Sequence, residues 1–185
     1  ILNGGLGAFL DNNGFFGEWP AFTQATPIAD QPADFGAIYW PEAYIEPGIG
    51  GISALGNTDI YIYGALSAMF TTRIGNDVFS NGSTVFGDFE RAYAGVLLPR
   101  LGKNDNGKLD ISVGRNFFQL NDGFLFSKFA GSANAGDRGS VYLNGRTAFE
   151  KTVLATFTSN KWNIRGFFVE PQELFSDSQT NTNYT

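Results

Sequence analysis

The 185-residue sequence contains no cysteine and no histidine. Without cysteine there is no disulfide framework, thiolate nucleophile or cysteine-based zinc site, and without histidine there is no Ser-His-Asp triad and no histidine-ligated metal. These residue types call for no cofactor and no metal. Charge is sparse as well: Asp, Glu, Lys and Arg make up 16% of the residues, against roughly 25% in an ordinary soluble domain. Twelve basic and eighteen acidic residues leave a formal net charge of −6, which disfavours a general nucleic-acid binder because phosphate contacts need a basic surface, and no nucleic-acid partner is expected. No hydrophobic run approaches the roughly 18 residues of a membrane-spanning helix. That leaves a membrane β-barrel open, since its strands are apolar only at every second position. The chain opens with Ile1-Leu2-Asn3-Gly4-Gly5 and shows no basic and apolar leader, so any signal peptide is expected to have been removed.

What the sequence has in plenty is glycine (24 residues) and phenylalanine (19 residues), within a hydrophobic content of 43%. Helical spacing is hard to find, whereas period-two alternation recurs between Gly/Asn/Asp clusters and predicts strands. Over residues 59–74, Ile60, Ile62, Gly64, Leu66, Ala68, Phe70, Thr72 and Ile74 share one face, and Asp59, Tyr61, Tyr63, Ala65, Ser67, Met69, Thr71 and Arg73 the other. Residues 88–98 set Ala92, Ala94, Val96 and Leu98 against Arg91, Tyr93 and Gly95, with Asp88 and Glu90 at the start of the apolar line. Residues 108–115, 149–158 and 162–168 alternate in the same way, with Lys151 interrupting the apolar face of the second and Leu154 its polar face. Residues 2–10 and 42–55 are weaker candidates, and Pro47 with Gly48, Gly50 and Gly51 suggests a bulge or bend in the latter.

The connections alternate in length. Short ones run through Gly56-Asn57-Thr58, through Pro99 to Gly107 and through Ser159-Asn160-Lys161, while long ones cover 11–41, 75–87, 116–148 and 170 onward. In an antiparallel meander alternate connections lie at the same end, so the sheet has a short-turn end and a long-loop end, as outer-membrane barrels do. A soluble β-sandwich or jelly roll also alternates. Against it stand the long strands, the polar or small second faces, and aromatics such as Tyr61, Trp162 and Phe175 near strand ends, where an interfacial girdle would lie. The expected fold is therefore all-β: an antiparallel up-and-down transmembrane β-barrel, of which residues 1–185 form a single domain and contribute about seven strands. Packing of Ile60, Ile62, Leu66 and Phe70 against a second sheet would instead favour a secreted carbohydrate-binding or carbohydrate-cleaving β-protein. A barrel acting as an adhesin or assembly partner is a third reading, suggested by the long Asn/Gly loops.

Four segments carry a family resemblance: Phe89-Glu90-Arg91-Ala92-Tyr93, Leu109 to Phe117, Gly145-Arg146-Thr147-Ala148-Phe149, and Phe167 to Leu174. Together they resemble the alginate-export type of Gram-negative outer-membrane porin over about residues 86 to 175. The resemblance implies a barrel of about 18 strands, within the range of such barrels, whose charged lumen passes anionic polysaccharide or other hydrophilic solutes. It implies a bacterial outer-membrane location among lipid and lipopolysaccharide, and it leaves room for a homo-oligomer. Six or seven strands cannot close such a barrel, so the chain is expected to be the N-terminal part of a longer protein or to take partner strands from elsewhere. The acidic balance departs from a strongly basic conduit.

A passive channel needs no nucleophile, so no enzyme activity is expected; it needs charges along its path. Arg73, Arg91 and Arg165 fall on polar strand faces, and Arg138 and Arg146 lie in the long 116–148 connection, a candidate for folding into the pore. Arg115 falls by strict alternation with Leu109, Ile111 and Val113, where a lipid-facing Arg costs about 2–4 kcal/mol. Either a bulge near Gly114 turns it inward or the strand has already left the membrane. Asp88, Glu90, Asp110 and Glu150, together with Asp122 and Asp137, are candidates to pair with these arginines and hold the loop. The Asn104-Asp105-Asn106-Gly107 segment reads as a turn, since Gly102 and Val113 stand at the end positions of a calcium loop. Gly48-Ile49-Gly50-Gly51 lacks the Lys-Ser/Thr of a phosphate loop. Glu170 with Glu173, or Asp88 with Glu90, would suit a glycosidase only at the right carboxylate separation.

Overall fold

A computed structural model describes residues 1–11, 37–75, 83–102, 106–123, 142–143 and 145–170. Seven strands follow one another: β1 (Leu2–Asp11), β2 (Ile38–Ala54), β3 (Tyr61–Arg73), β4 (Thr84–Leu101), β5 (Gly107–Phe117), β6 (Ala148–Ser159) and β7 (Asn163–Glu170). Each pairs antiparallel with its sequence neighbours, giving one curled, half-barrel sheet in the order β1 to β7. Among the described residues there is no helix, and β1 and β7 each pair along one edge only. Short turns join β2 to β3 and β6 to β7, and a short connection, with residues 103–105 outside the described residues, separates β4 from β5. Thr58 Oγ1 donates to the Leu55 carbonyl (2.6 Å) in the β2–β3 turn, and the Ser159 N–H donates to the Trp162 carbonyl (2.7 Å) in the β6–β7 turn. The other three connections are long and lie at the opposite end.

Alternation sorts the side chains by face, and the sorting is the reverse of a soluble sheet. Leu2, Leu6 and Leu10 of β1, Ile45 and Ile49 of β2, and Ile62, Leu66 and Phe70 of β3 are exposed on the convex side. So are Val85 and Val96 of β4, Ile111 and Val113 of β5, Val153 of β6 and Ile164 of β7. Leu66, Phe70 and Val113 are 47%, 52% and 58% exposed, whereas Glu42, Glu46, Arg73 and Glu90 on the concave side are at most 1% exposed. Ile62, Leu66 and Phe70 thus meet no second sheet among the described residues.

Of three irregularities in register, one sits beside the β4–β5 connection at Leu98 and Leu101, and the other two adjust this pattern. Ser67 faces Arg91 while Ala68 faces Phe89, so Glu90 is an extra residue in β4, a bulge. One parity slip carries Asp88 and Glu90 off the apolar line, where strict alternation puts them, and onto the concave face beside Arg91. The second lies between β5 and β6, where Gly114 faces Thr152 and Asn116 faces Phe149, so that Arg115 stands opposite both Glu150 and Lys151. Gly114 has φ 126, a conformation that suits glycine, and a Cβ there would stand 2.3 Å from the Ala92 carbonyl oxygen. The bulge expected at Pro47 is not found: Ile45 faces Phe70 and Gly48 faces Ser67 in one unbroken register. Strand β2 also begins at Ile38, before the expected residue 42, and runs through Pro41.

Two apolar clusters fill the concave side toward the long-loop end. Phe118, Phe149 and Val169 pack with Leu120, Leu154 and Phe167, so Leu154 has a core partner on the face it interrupts. Ile38 and Trp40 pack with Phe9 and Tyr142. Replacing Gly114 by Val is expected to lower stability by roughly 1–3 kcal/mol, through backbone strain and collision with β4. A fall in the urea midpoint of the variant at unchanged slope checks this.

Candidate functional site

The concave face has a filled half at the long-loop end and an open half at the short-turn end. The filled half is organised by three buried carboxylates. Glu46 of β2 accepts from Ser67 Oγ of β3 (2.7 Å) and pairs with Arg91 Nε of β4 (3.0 Å), while the Arg91 N–H donates to the same Ser67 Oγ (3.2 Å). This row ties three strands together. Glu90 holds the start of β6: its Oε1 accepts the N–H groups of Thr147 (2.6 Å) and Ala148 (2.8 Å), and its Oε2 pairs with Arg146 Nε (3.2 Å). Glu42 accepts the N–H groups of Tyr142 (3.0 Å) and Leu143 (3.1 Å) from a hundred residues away.

The end of the 118–147 connection is therefore fastened across the concave face. Tyr142 packs on Trp40 and Phe9, with ring centroids 4.9 and 5.4 Å away. Gly145 lies so close to the Tyr44 ring that a Cβ would come within 2.7 Å of it. Arg146 is buried, with Nη2 bonded to Asp88 (3.3 Å) and to the Phe89 carbonyl (3.2 Å), and its guanidinium sits 5.0 Å from the Phe86 ring centroid.

Of the other arginines singled out in the sequence, Arg73 is buried directly opposite Glu42, and its Nη2 donates to Thr84 Oγ1 (3.1 Å). Arg115 reaches Asp88 (3.6 Å) and stands near enough to Glu90 and Glu150 for their charges to act on it. Strict alternation puts Arg115 among the outward residues, but the irregularity at Gly114 resolves its placement in favour of the carboxylate cluster. Arg165 is exposed on β7, opposite Thr156. Asp110 is not part of the cluster; it accepts a hydrogen bond from the Tyr63 hydroxyl in the open half. Asp122 is exposed in the turn after β5. Arg138, Asp137, Glu173 and Phe175 lie outside the described residues. Glu170 pairs with Lys151 (2.7 Å), which places that charge pair at the long-loop end of the convex side.

Sequence reasoning missed Glu42 and Glu46. Their parity with Ile38, Trp40 and Tyr44 was a usable signal, hidden by the two prolines that make the start of β2 look unlike a strand. It also missed Tyr63 and Tyr93, whose rings meet edge-on at 6.3 Å between centroids in the open half.

Among the described residues no three acidic side chains converge as a metal site. The arrangement is one of mutual neutralisation, with arginines and carboxylates interleaved on a wall. Removing one partner of a buried pair costs about 3–5 kcal/mol, because the other charge is left uncompensated. Glu90→Ala is accordingly expected to loosen the 145–148 segment, with faster hydrogen exchange at the Thr147 and Ala148 amides, while Asp110→Ala leaves those amides unchanged. Comparison of the chain with family models, with curated proteins and with solved structures found no match.

Proposed function

We propose that this chain forms part of the wall of a transmembrane β-barrel and that its concave face lines a path for hydrophilic solutes. The observation that carries this reading is the inverted polarity of the sheet. Twenty-two large hydrophobic residues are exposed among the described residues, whereas the charged residues Glu42, Glu46, Arg73, Glu90 and Arg146 are buried on the concave side. Covering one such side chain is worth about 1.5–3 kcal/mol, so leaving this many half-exposed to water forgoes on the order of 20 kcal/mol. The whole stability of a soluble domain is only about 5–15 kcal/mol. A hydrocarbon environment removes the deficit.

Six of the seven strands, at 10 to 18 residues, match or exceed the roughly 9–11 needed to cross a bilayer at a tilt, and β7, with 8 described residues, falls one short. Tyr39 near the long-loop end and Trp162 at the short-turn end are both exposed, as residues of two interfacial girdles would be. Edges of β1 and β7 that are unpaired among the described residues call for further strands, from the same polypeptide or from other copies, to close the barrel. The fastened residues 142–143 and 145–148 then narrow the bore at the long-loop end. An outer-membrane setting in a Gram-negative envelope and an alginate-export-like relationship belong to this proposal, supported by the four motif segments and the alternating loop lengths.

The arginines suggest an anionic solute, but the wall tempers that expectation. Arg91, Arg115 and Arg146 are each matched by a carboxylate, so the proposed path is closer to charge-balanced than basic. Reconstitution of the purified chain into planar bilayers is expected to give stepwise conductance with weak ion selectivity. A protein that stays monodisperse in water without detergent and gives no conductance would overturn the proposal. In lipid vesicles, Val113→Arg is expected to cost about 2–4 kcal/mol of folding stability, as for a basic residue at a lipid face. Thr156→Arg, on the concave side opposite Asp110, is expected to cost less than 1 kcal/mol; urea titration of both variants in the same vesicles measures the difference.

A further inference from the structure

We propose that Tyr63, Tyr93 and Asp110 form a stacking subsite for the ring of a neutral, hydroxyl-rich saccharide. The proposal rests on the reading of the concave face as a solute path and names the kind of solute it takes. The three residues line an open cleft of about 480 Å³ in the open half of that face, together with Gly50, Ile52 and Leu97. This volume falls within the roughly 300–1,000 Å³ of small-molecule sites and can accept a pyranose ring with room to spare.

The geometry of the rings follows from the register. Tyr63 stands directly opposite Gly95 on β4, and a Cβ at that glycine would lie 2.3 Å from the tyrosine Cζ. The Tyr63 ring therefore rests on the bare backbone of its neighbour, and glycine is what lets it lie down. Tyr93 belongs to the same concave row and meets Tyr63 at an interplanar angle of 70°. The two rings make a corner, one as floor and one as side wall.

Such a corner suits a sugar ring. The face of an aromatic ring is electron-rich and attracts the weakly positive C–H edges of a pyranose, while the apolar patch of the sugar leaves water. Polar recognition comes from Asp110, whose Oδ1 accepts the Tyr63 hydroxyl, fixing the carboxylate so that Oδ2 can accept a ligand hydroxyl. A fixed carboxylate favours neutral over acidic saccharides, because a uronate would bring a second negative charge to the same place.

Isothermal titration of the detergent-solubilised chain with maltotriose tests the assignment without requiring a pore, and current block by the same sugar in planar bilayers tests it within one. Saturable binding in the millimolar range is expected. It should be weakened about tenfold in Tyr93→Leu, which keeps a large side chain on the strand, and about threefold in Asp110→Asn. Trigalacturonate is expected to bind more weakly than maltotriose, and a polyethylene glycol of equal size not at all. No saturable binding of maltotriose, binding unchanged in both variants, or equal binding of the glycol would overturn the subsite. Conductance without any effect of sugar would remove the subsite and leave the pore; sugar binding without conductance would remove the pore and leave the subsite.

Discussion

Because successive residues of a strand must point to opposite faces, a sheet with two chemically distinct sides needs its charges at alternate positions. Every other property of this molecule depends on that constraint and on where it is broken. Along β3 the constraint holds without interruption, so Ser67, Met69, Thr71 and Arg73 are buried while Ile62, Leu66 and Phe70 are exposed. In the first half of β4 the charges fall at 88, 90 and 91, which no regular strand can place on one face. The bulge at Glu90 solves this by absorbing one residue, and Glu90 and Arg91 then bond to different partners, Arg146 and Glu46.

The two halves of the concave face follow from how those charges are spent. Toward the long loops, buried carboxylates accept backbone N–H groups as well as guanidinium groups, so they organise chain segments far apart in sequence. A carboxylate is well suited to this because its two oxygens accept several donors and a charged acceptor roughly doubles the strength of each bond. Toward the short turns the wall is built from tyrosine and glycine, with few charges, and the space is left open. A fastened constriction at one end and an aromatic, lightly charged vestibule at the other is the division of labour proposed for a solute path.

The fold was largely legible because period-two alternation and Gly/Asn-rich turns are local signals. Strand β3 and the short turns at Gly56 and Ser159 follow directly from them. What was not legible depends on the neighbouring strand. The bulge at Glu90 exists only relative to Ser67 and Ala68 across the sheet, so strict alternation assigned Asp88 and Glu90 to the wrong face. The start of β2 was obscured because Pro41 and Pro47 argue locally against a strand. Arg115 left two placements open in the sequence, and Gly114 was the residue that decided between them. Pairing of Glu90 with Arg146 spans 56 residues and was among the pairings the charges suggested, whereas Glu42 reaches Tyr142 over 100 residues with no local sign in the sequence.

The central claim is that the exposed apolar face meets lipid while the charged face meets an aqueous interior. Nitroxide labels placed singly along β5 at Lys108, Asp110, Ile111 and Val113, in protein reconstituted into lipid vesicles, test it most directly. The account predicts that Ile111 and Val113 labels relax mainly with oxygen dissolved in the bilayer, and that Lys108 and Asp110 labels relax mainly with a water-soluble nickel chelate. Equal access of the chelate to all four positions would contradict it.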